Sequence, residues 1–400
     1  MKACVISQYF PPDTGGASTR ASNLIDSLVR EHEQVTVVTA FPHYPKGRIP
    51  RKYRGKLVSV ERFRGARVVR VWIPPIAHEG FVKRLVMYTI FALSSLAALP
   101  FCRGSKVTWA LSPNYLCMIP ATAVRLATKS RIVHDVVDIW PQALIATGYT
   151  FPWGILKSVE FLSRISYILS DAIVTLSDSM RASLLATSPK TANIEVIANC
   201  VGNNFFSVQP KEISDSFHIM YIGTLSPSND FPTLLQAAKT LLGDKLVRFT
   251  IAGSGELGSK ISQLVNDDRI TNVNVVGHSI NHNEVPNWIA QSDALIVPLR
   301  KGFGDSSFPS KLGEYLASGR PVVCTTDGIL AQNLRSNNIS LIVEPGDVKA
   351  LVDAFSRLKS DHALRLQLAA RGRAYAKEHF SFGSFQESVE QLTEFVSKTP

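Results

Sequence analysis

The chain lacks most of the devices that would place it outside a reducing, globular setting. Its five cysteines, Cys4, Cys102, Cys117, Cys200 and Cys324, are odd in number, scattered and never in a CxxC pair, which argues against a disulfide framework or a cysteine zinc site. No tract is of low complexity, and 45% hydrophobic against 19% charged residues excludes a disordered chain. The N-terminal MKACVISQYFPP has too few apolar residues before Gln8 for a secretory signal and reads as a first buried strand. No GK[ST] follows the early glycines and no DxD occurs, so neither a P-loop nor a metal site is indicated. The expected location is the cytoplasm.

Acidic charge is scarce as well: 32 Asp and Glu face 43 Lys and Arg, a net charge of +11. The imbalance is local. Between Pro42 and Arg84, twelve basic residues, among them Lys46, Arg48, Arg51, Lys52, Arg54, Lys83 and Arg84, stand against only Glu61 and Glu79. Such a run is either a solvated loop and edge strand or a surface for an anion, whether membrane, nucleic acid or diphosphate lipid. An uncharged stretch follows at once, LVMYTIFALSSLAALPFC from Leu85 to Cys102. It sits at the lower limit for a membrane span and is interrupted by Thr89, Ser94, Ser95 and Pro100, so it reads as a buried or interfacial helix. A basic arm beside an apolar helix supplies the two signals that hold a peripheral protein on a membrane. No RNA-type aromatic motif or helix-turn-helix pattern accompanies it, so no nucleic acid is expected.

The 400 residues suit two domains. Short apolar runs (ACVISQYF, VTVVTAF, RVVRVWIP, VTWALS, RIVHDVV, AIVTLS and IEVIA, then FHIMYIGT, VRFTIAG, VNVVGH, DALIVPL, PVVCTT and ISLIVE) alternate with helix-length amphipathic segments. This is the pattern of parallel sheets flanked by helices. The polar FFSVQPKEISDS, Phe205 to Ser216, marks the division, giving a first domain over 1–205, a second over 206–380 and a last helix over 381–400. That helix, with Phe385, Val389, Leu392 and Phe395 at helical spacing, is expected to pack back on the first domain. The fold class is α/β, two tandem Rossmann-like domains facing a cleft.

Four stretches carry candidate chemistry. PPDTGGASTR puts Gly15 and Gly16 between a strand and a helix, where free N–H groups and the positive helix end can meet an anion. IAGSGELGSKI satisfies GxGxxG at Gly253, Gly255 and Gly258, but the next strand ends in Gly277 and His278 without the acidic residue a dinucleotide ribose needs. In RIVHDVVDIWP, His134 stands at a strand end with Asp135 and Asp138 close by, a setting that can orient and shift a histidine for proton chemistry. In GDSSFPSKLGEYLASGRPVV, Lys311 and Glu314 are three apart on a helix begun by Pro309 and Ser310. A lysine there suits a phosphate and a carboxylate suits two sugar hydroxyls, although an i,i+3 ion pair on a surface is the plain alternative.

Together these stretches, with FPHYPKGRIPRKYRGKL, AIVTLSDSMR, IEVIANCV, YIGTLSP and ALIVPL, resemble the retaining glycosyltransferases of family four, two-domain GT-B enzymes that use nucleotide-sugars. PHYPKG, the basic segment and the Pro-Ser-Lys triplet are most similar to O-antigen and capsule enzymes of the WbuB-like fucosamine-transferase type. The resemblance implies that Gly15 and Gly16 approach the donor diphosphate and that His134, with Asp138, lies near the reacting sugar. It places Glu314 on the ribose hydroxyls, Phe308, Pro309 and Ser310 at the phosphates, and Gly277 and His278 at the base. Gly223, Thr224 and Gly253 join the donor contacts, and the resemblance makes 1–205 the acceptor-binding domain and 206–380 the nucleotide-sugar-binding domain. Three departures stand out: Ser306 occupies the place of a family glutamate eight residues before Glu314, and Thr224 and Asn229 replace a basic pair. Lys311, with Arg300 and Lys301 nearby, is then the candidate for the diphosphate charge, and Ser306 implies an atypical donor such as a deoxy sugar. The implied reaction transfers a sugar from a UDP-sugar to a polyprenyl-diphosphate-linked glycan, with retention and no metal or other cofactor, at the inner face of the cytoplasmic membrane. A nucleotide-sugar 2-epimerase of the same fold, or a non-enzymatic membrane- or nucleic-acid-binding protein, are the alternatives.

Overall fold

The computed structural model describes the chain except for residues 33, 45–46, 77–80, 147–149, 188–192, 210–214 and 399–400. Lys46 and Glu79 therefore lie outside the described residues. The first sheet comprises β1 (Lys2–Ile6), β2 (Gln34–Ala40), β3 (Val58–Phe63), β4 (Ala66–Val71), β5 (Val107–Leu111), β6 (Arg131–Asp135), β7 (Ala172–Thr175) and β8 (Asn193–Val196). Their order across the sheet is β3-β4-β2-β1-β5-β6-β7-β8. The second comprises β9 (Phe217–Ile222), β10 (Val247–Ala252), β11 (Val273–Val276), β12 (Ala294–Pro298), β13 (Val322–Thr325) and β14 (Leu341–Val343), in the order β11-β10-β9-β12-β13-β14. Every pairing is parallel except β3 with β4. Central strands such as VTWAL and FHIMYI are buried along their whole length, as sheets covered by helices on both faces require.

All thirteen apolar runs became strands. The exception to the reading is β3, VSVERF, whose partly exposed residues sit on an edge and were hidden inside the basic segment. The C-terminal helix, Phe382–Lys398, crosses back: Phe385, Val389, Leu392 and Val396 enter the first-domain core beside Ala3, Val5 and Leu24. Phe395, expected on that face, is 58% exposed, because Val396 rather than Phe395 completes the stripe. The division drawn after Phe205 also shifts. Ile197 packs in the first core, whereas Val201, Phe205 and Val208 pack in the second against Met220 and Leu316. The chain therefore crosses between Ile197 and Val201, next to the return crossing, where Val201 N–H donates to the Phe380 carbonyl at 2.7 Å.

Candidate active site

Parallel strands end together, so the loops that follow them gather along one edge of each sheet. In the second domain the helix Ser310–Ala317 begins at such an edge. Pro309 stands at its N-cap with no side-chain capping bond, which leaves first-turn N–H groups for a ligand. Lys311 rises from the first turn and passes over the Tyr221 ring, its Nζ 5.4 Å from the centroid. Room for it comes from Gly223: a β-carbon there would lie 2.0 Å from Lys311 Cε. Gly253 is confined in turn, since its β-carbon would meet the Gly223 carbonyl oxygen at 1.8 Å. The glycines of IAGSGEL thus serve close packing of two strand-end loops beneath Lys311, which accounts for a GxGxxG without a dinucleotide fingerprint. Tyr315, unremarked in the sequence, fixes the helix to β9: its hydroxyl donates to the Ile222 carbonyl at 2.9 Å and accepts from the Ile222 N–H at 2.8 Å.

Glu314 lies one turn beyond Lys311 and is partly buried. Burial pushes its carboxyl up to about 7, against the pull of Lys311, whose own ammonium burial destabilises. His282, which sequence reasoning missed, faces it with Nε2 3.8 Å from Glu314 Oε1 and leans on Phe205 at 5.4 Å. No spacing in the sequence points to His282, which only the loop after β11 brings to the helix. A carboxyl with this value is mostly protonated below pH 7 and can accept from two hydroxyls of a ligand above it. Affinity for a ligand that this carboxylate holds through two hydroxyls is therefore expected to rise about tenfold between pH 6 and pH 8 and then level. Calorimetry across that range checks it, and Glu314→Gln should flatten the slope. Gly277 and His278 are exposed at the end of β11, Thr224 at the end of β9 and Ser310 at the helix start, all on the same edge. Arg300 is engaged elsewhere, its Nε reaching the Asn229 carbonyl at 3.4 Å, and Lys301 is exposed.

From the first domain, Gly15 and Gly16 open the helix Gly16–Glu31, exposed and again without a side-chain cap. Gly15 has φ +109°, a conformation that favours glycine. Asp138 follows β6 and pairs by backbone with Ser307 of the second domain. Its carboxyl is raised by burial and bonds Ser307, which opposes the shift. Ile139 N–H donates to the Ser306 carbonyl at 2.8 Å, and the Ser179 and Ser183 hydroxyls donate to the carbonyls of Gly304 and Asp305 at 3.2 and 3.0 Å. The loop before Lys311 is thereby held against the first domain.

Four expected site residues are packed away rather than open. His134 is 1% exposed and sits beside the rings of Tyr115 and Tyr167, with centroids at 5.2 and 6.1 Å. Neither ring nitrogen meets a partner, and burial pushes the imidazole down to about 3. It is a neutral core residue. Its neighbour Asp135 does not orient it, because both carboxylate oxygens accept from Arg20, at 2.6 and 2.8 Å. His134→Phe is accordingly expected to retain activity within about threefold, whereas a loss of two orders of magnitude would restore a catalytic role. Ser306, expected to face the sugar, is 3% exposed and its hydroxyl turns back to the Phe303 carbonyl at 3.0 Å. Asp305 beside it is also spent, accepting from the N–H groups of Ile329 and Leu330 at the start of helix Gly328–Ser336. Phe308 and Pro309 are packed rather than open, Phe308 against Phe380 at 5.7 Å.

The basic segment is not one arm. Arg70 is 2% exposed, donating to Glu61 and to the carbonyls of Ala40 and Pro11; Arg64 pairs with Asp26, and Lys52 lies over Tyr53 near Glu61. Arg48, Arg51, Arg54, Lys83 and Arg84 remain exposed.

The comparisons bear on the two-domain fold and the family. Residues 15–200 match the family model described as glycosyl transferase 4-like domain, and residues 216–361 match glycosyl transferases group 1. The putative colanic acid biosynthesis glycosyl transferase WcaI of Escherichia coli strain K12 is 23% identical over 379 residues, 88% of this chain and 90% of that protein. The capsular polysaccharide biosynthesis glycosyltransferase CapM of Staphylococcus aureus is 22% identical over 247 residues, 58% of this chain and 63% of its own. Among solved structures, a sucrose-phosphate synthase from Thermosynechococcus elongatus superposes with a TM-score of 0.79 at 16% identity, covering 99% of this chain and 98% of that one. A trehalose-6-phosphate structure from E. coli bound with UDP-2-fluoro glucose gives 0.74 at 12% identity, covering 100% of each chain. With both halves matched in order and the two-sheet GT-B architecture shared, the chain belongs to the glycosyltransferases of family four.

Proposed function

We propose that this glycosyltransferase moves a sugar from a UDP-sugar to a polyprenyl-diphosphate-linked glycan during surface-polysaccharide (O-antigen or capsule) assembly, with retention at the anomeric carbon. The observation that carries the donor reading is the pair Lys311 and Glu314, one turn apart at an uncapped helix start, with Lys311 lying on the glycine loops of Gly223 and Gly253. The bond from C1 to the β-phosphate oxygen breaks with its electrons passing to oxygen. Lys311, the helix N-terminus and the Gly15–Gly16 end of the opposite helix meet that charge. The acceptor hydroxyl oxygen bonds C1 on the same face, and its proton passes to the departing phosphate. The scheme calls for no metal ion. Asp138 stands between the domains, where it would hold a hydroxyl of one of the two sugars. With Ser306 and Asp305 turned away, this loop offers the transferred sugar no carboxylate, which fits a deoxy or N-acetylated deoxy sugar of the kind the WbuB-like enzymes suggest. Relatives named for colanic acid and capsule synthesis support the polysaccharide setting.

Association with the inner face of the cytoplasmic membrane belongs to the same reading. Val82–Cys102 is long and apolar enough to span a membrane, yet it is 39% buried, with Met87, Phe91 and Ala92 in the core. Val82, Leu85, Val86 and Leu93 are exposed instead. A second helix, Trp153–Ile168, exposes Trp153, Phe161 and Ile168, and the turn Tyr115–Cys117 touches both helices. No acidic residue occurs between Glu79 and Asp135, so an apolar face with a basic surround suits an anionic leaflet.

The test is a screen of nucleotide-sugars against polyprenyl-diphosphate-linked acceptors, read by product mass and anomeric configuration. One donor should yield a retained glycoside. Conversion of UDP-N-acetylglucosamine without any acceptor would favour the epimerase, and protein that ignores anionic liposomes at low salt would remove the membrane from the account.

A further inference from the structure

FPHYPKG and the buried Arg70 take no part in the donor chemistry, yet both are tied to the loop that leads into Gly15 and Gly16. Asp13 Oδ1 accepts from the backbone N–H groups of His43 and Tyr44 at 2.8 and 2.9 Å, which fastens the loop after β1 to the loop after β2. Asp13 Oδ2 lies 3.4 Å from His43 Nδ1, a nitrogen that also stands 2.8 Å from the Phe41 carbonyl and so carries its hydrogen toward two oxygens. Two residues before Asp13, the Pro11 carbonyl accepts from Arg70 of β4, whose guanidinium also binds the Ala40 carbonyl and Glu61. On the far side, the Gly15 carbonyl accepts from the Thr19 N–H and hydroxyl at 3.1 and 3.2 Å. The loops after β1 and β2 and the strand β4 are thereby joined beside the start of the helix Gly16–Glu31.

Asp13 is 7% exposed, and burial pushes its carboxyl up to about 6 against the pull of the two N–H groups and of Arg70. On charge alone a carboxylate two residues before Gly15 is out of place, because it repels the anion that an uncapped helix start attracts. Its geometry supplies the reason. One oxygen takes two N–H groups of the neighbouring loop that would otherwise go unpaired beside the core, and the bond fixes where the helix begins. We propose that Asp13 is a positioning residue for transfer, one that aims the Gly15–Gly16 helix start at the donor diphosphate by anchoring its loop on the backbone of His43 and Tyr44. Arg70 holds the other end of the same loop. The identity of the anion as donor diphosphate rests on the transfer reading given above.

The test uses the full-length protein and calorimetry with UDP and with uridine, since the ratio of the two affinities isolates the diphosphate. Asp13→Ala and Asp13→Ser should each weaken UDP about tenfold, the size of one helix start withdrawn from an anion, while uridine stays within about twofold. Asp13→Asn keeps an acceptor for both N–H groups and loses the charge, so it should bind UDP at least as tightly as wild type. A role through charge alone gives another order, with every neutral variant binding UDP more tightly than wild type. That order, an unchanged UDP-to-uridine ratio in Asp13→Ala and Asp13→Ser, or an Asp13→Asn as weak as Asp13→Ala would overturn the proposal. Loss of UDP binding in Glu314→Ala beside an unchanged ratio in the Asp13 variants confines the failure to this inference. A wild type that does not bind UDP sinks the donor reading, and this inference with it.

Discussion

Replacing Lys311 with methionine lowers the rate of transfer by about two to three orders of magnitude while the protein stays folded. The size follows from position. Lys311 lies beside the uncapped start of the helix Ser310–Ala317, and after β9, where the resemblance implies a basic pair, stand Thr224 and Asn229. Asn229 is 3% exposed and bonds Ser226, while Arg300 reaches the Asn229 carbonyl, so neither stands in for the missing charge. Methionine preserves the stem that fills the space beside Gly223 and lies on Tyr221, so the thermal midpoint should move little. Turnover at saturating donor and acceptor is the measurement. A loss below about fivefold would mean that the helix N-terminus and the Gly15–Gly16 loop suffice for the leaving diphosphate.

Arg20→Ala should cost about 3–5 kcal/mol of folding stability, because it strands the Asp135 carboxylate in the core. Arg20 is 4% exposed and binds Asp135 with two nitrogens, Asn199 Oδ1 at 2.9 Å and the Ile197 carbonyl at 3.0 Å, and its guanidinium lies 5.7 Å over Phe385. One side chain therefore joins β6, the crossing between domains and the returning C-terminal helix. The first transition in denaturant should move to lower concentration. Adding Asp135→Ala should recover part of the loss, since it removes the unpaired charge. A double variant less stable than Arg20→Ala would show that the damage comes from Asn199, Ile197 and Phe385 instead. Arg20→Lys should rescue poorly, because an ammonium cannot reproduce the two-pronged contact.

What the sequence revealed and what it hid divide along contact range. The strands were legible because each is an apolar run of five or so residues, and Lys311 with Glu314 because three residues on a helix fix a common side. His134 was misread because its neighbours in sequence are acidic, whereas in a strand alternate side chains leave by opposite faces. Its surroundings are set by Tyr115 and Tyr167, on separate elements. Arg20 escaped notice because its partner is 115 positions away, and His282 because it meets Glu314 only when the loop after β11 folds over the helix. Ser306 stands where the resemblance implies a carboxylate, but no local pattern reveals that its hydroxyl turns inward. The basic segment misled through composition: Arg70 and Arg64 serve the edge hairpin, and what distinguishes the outer surface of the first domain is exposed apolar side chains on two helices.

The central claim is that the second domain holds the donor through Glu314 and Lys311, and nucleotide calorimetry on wild type and Glu314→Ala tests it most directly. Wild type should bind a nucleoside diphosphate, and Glu314→Ala should weaken it by about two orders of magnitude, as expected when a charged acceptor of two hydroxyls is removed. Unchanged affinity in Glu314→Ala would contradict the account and move the donor site away from this helix.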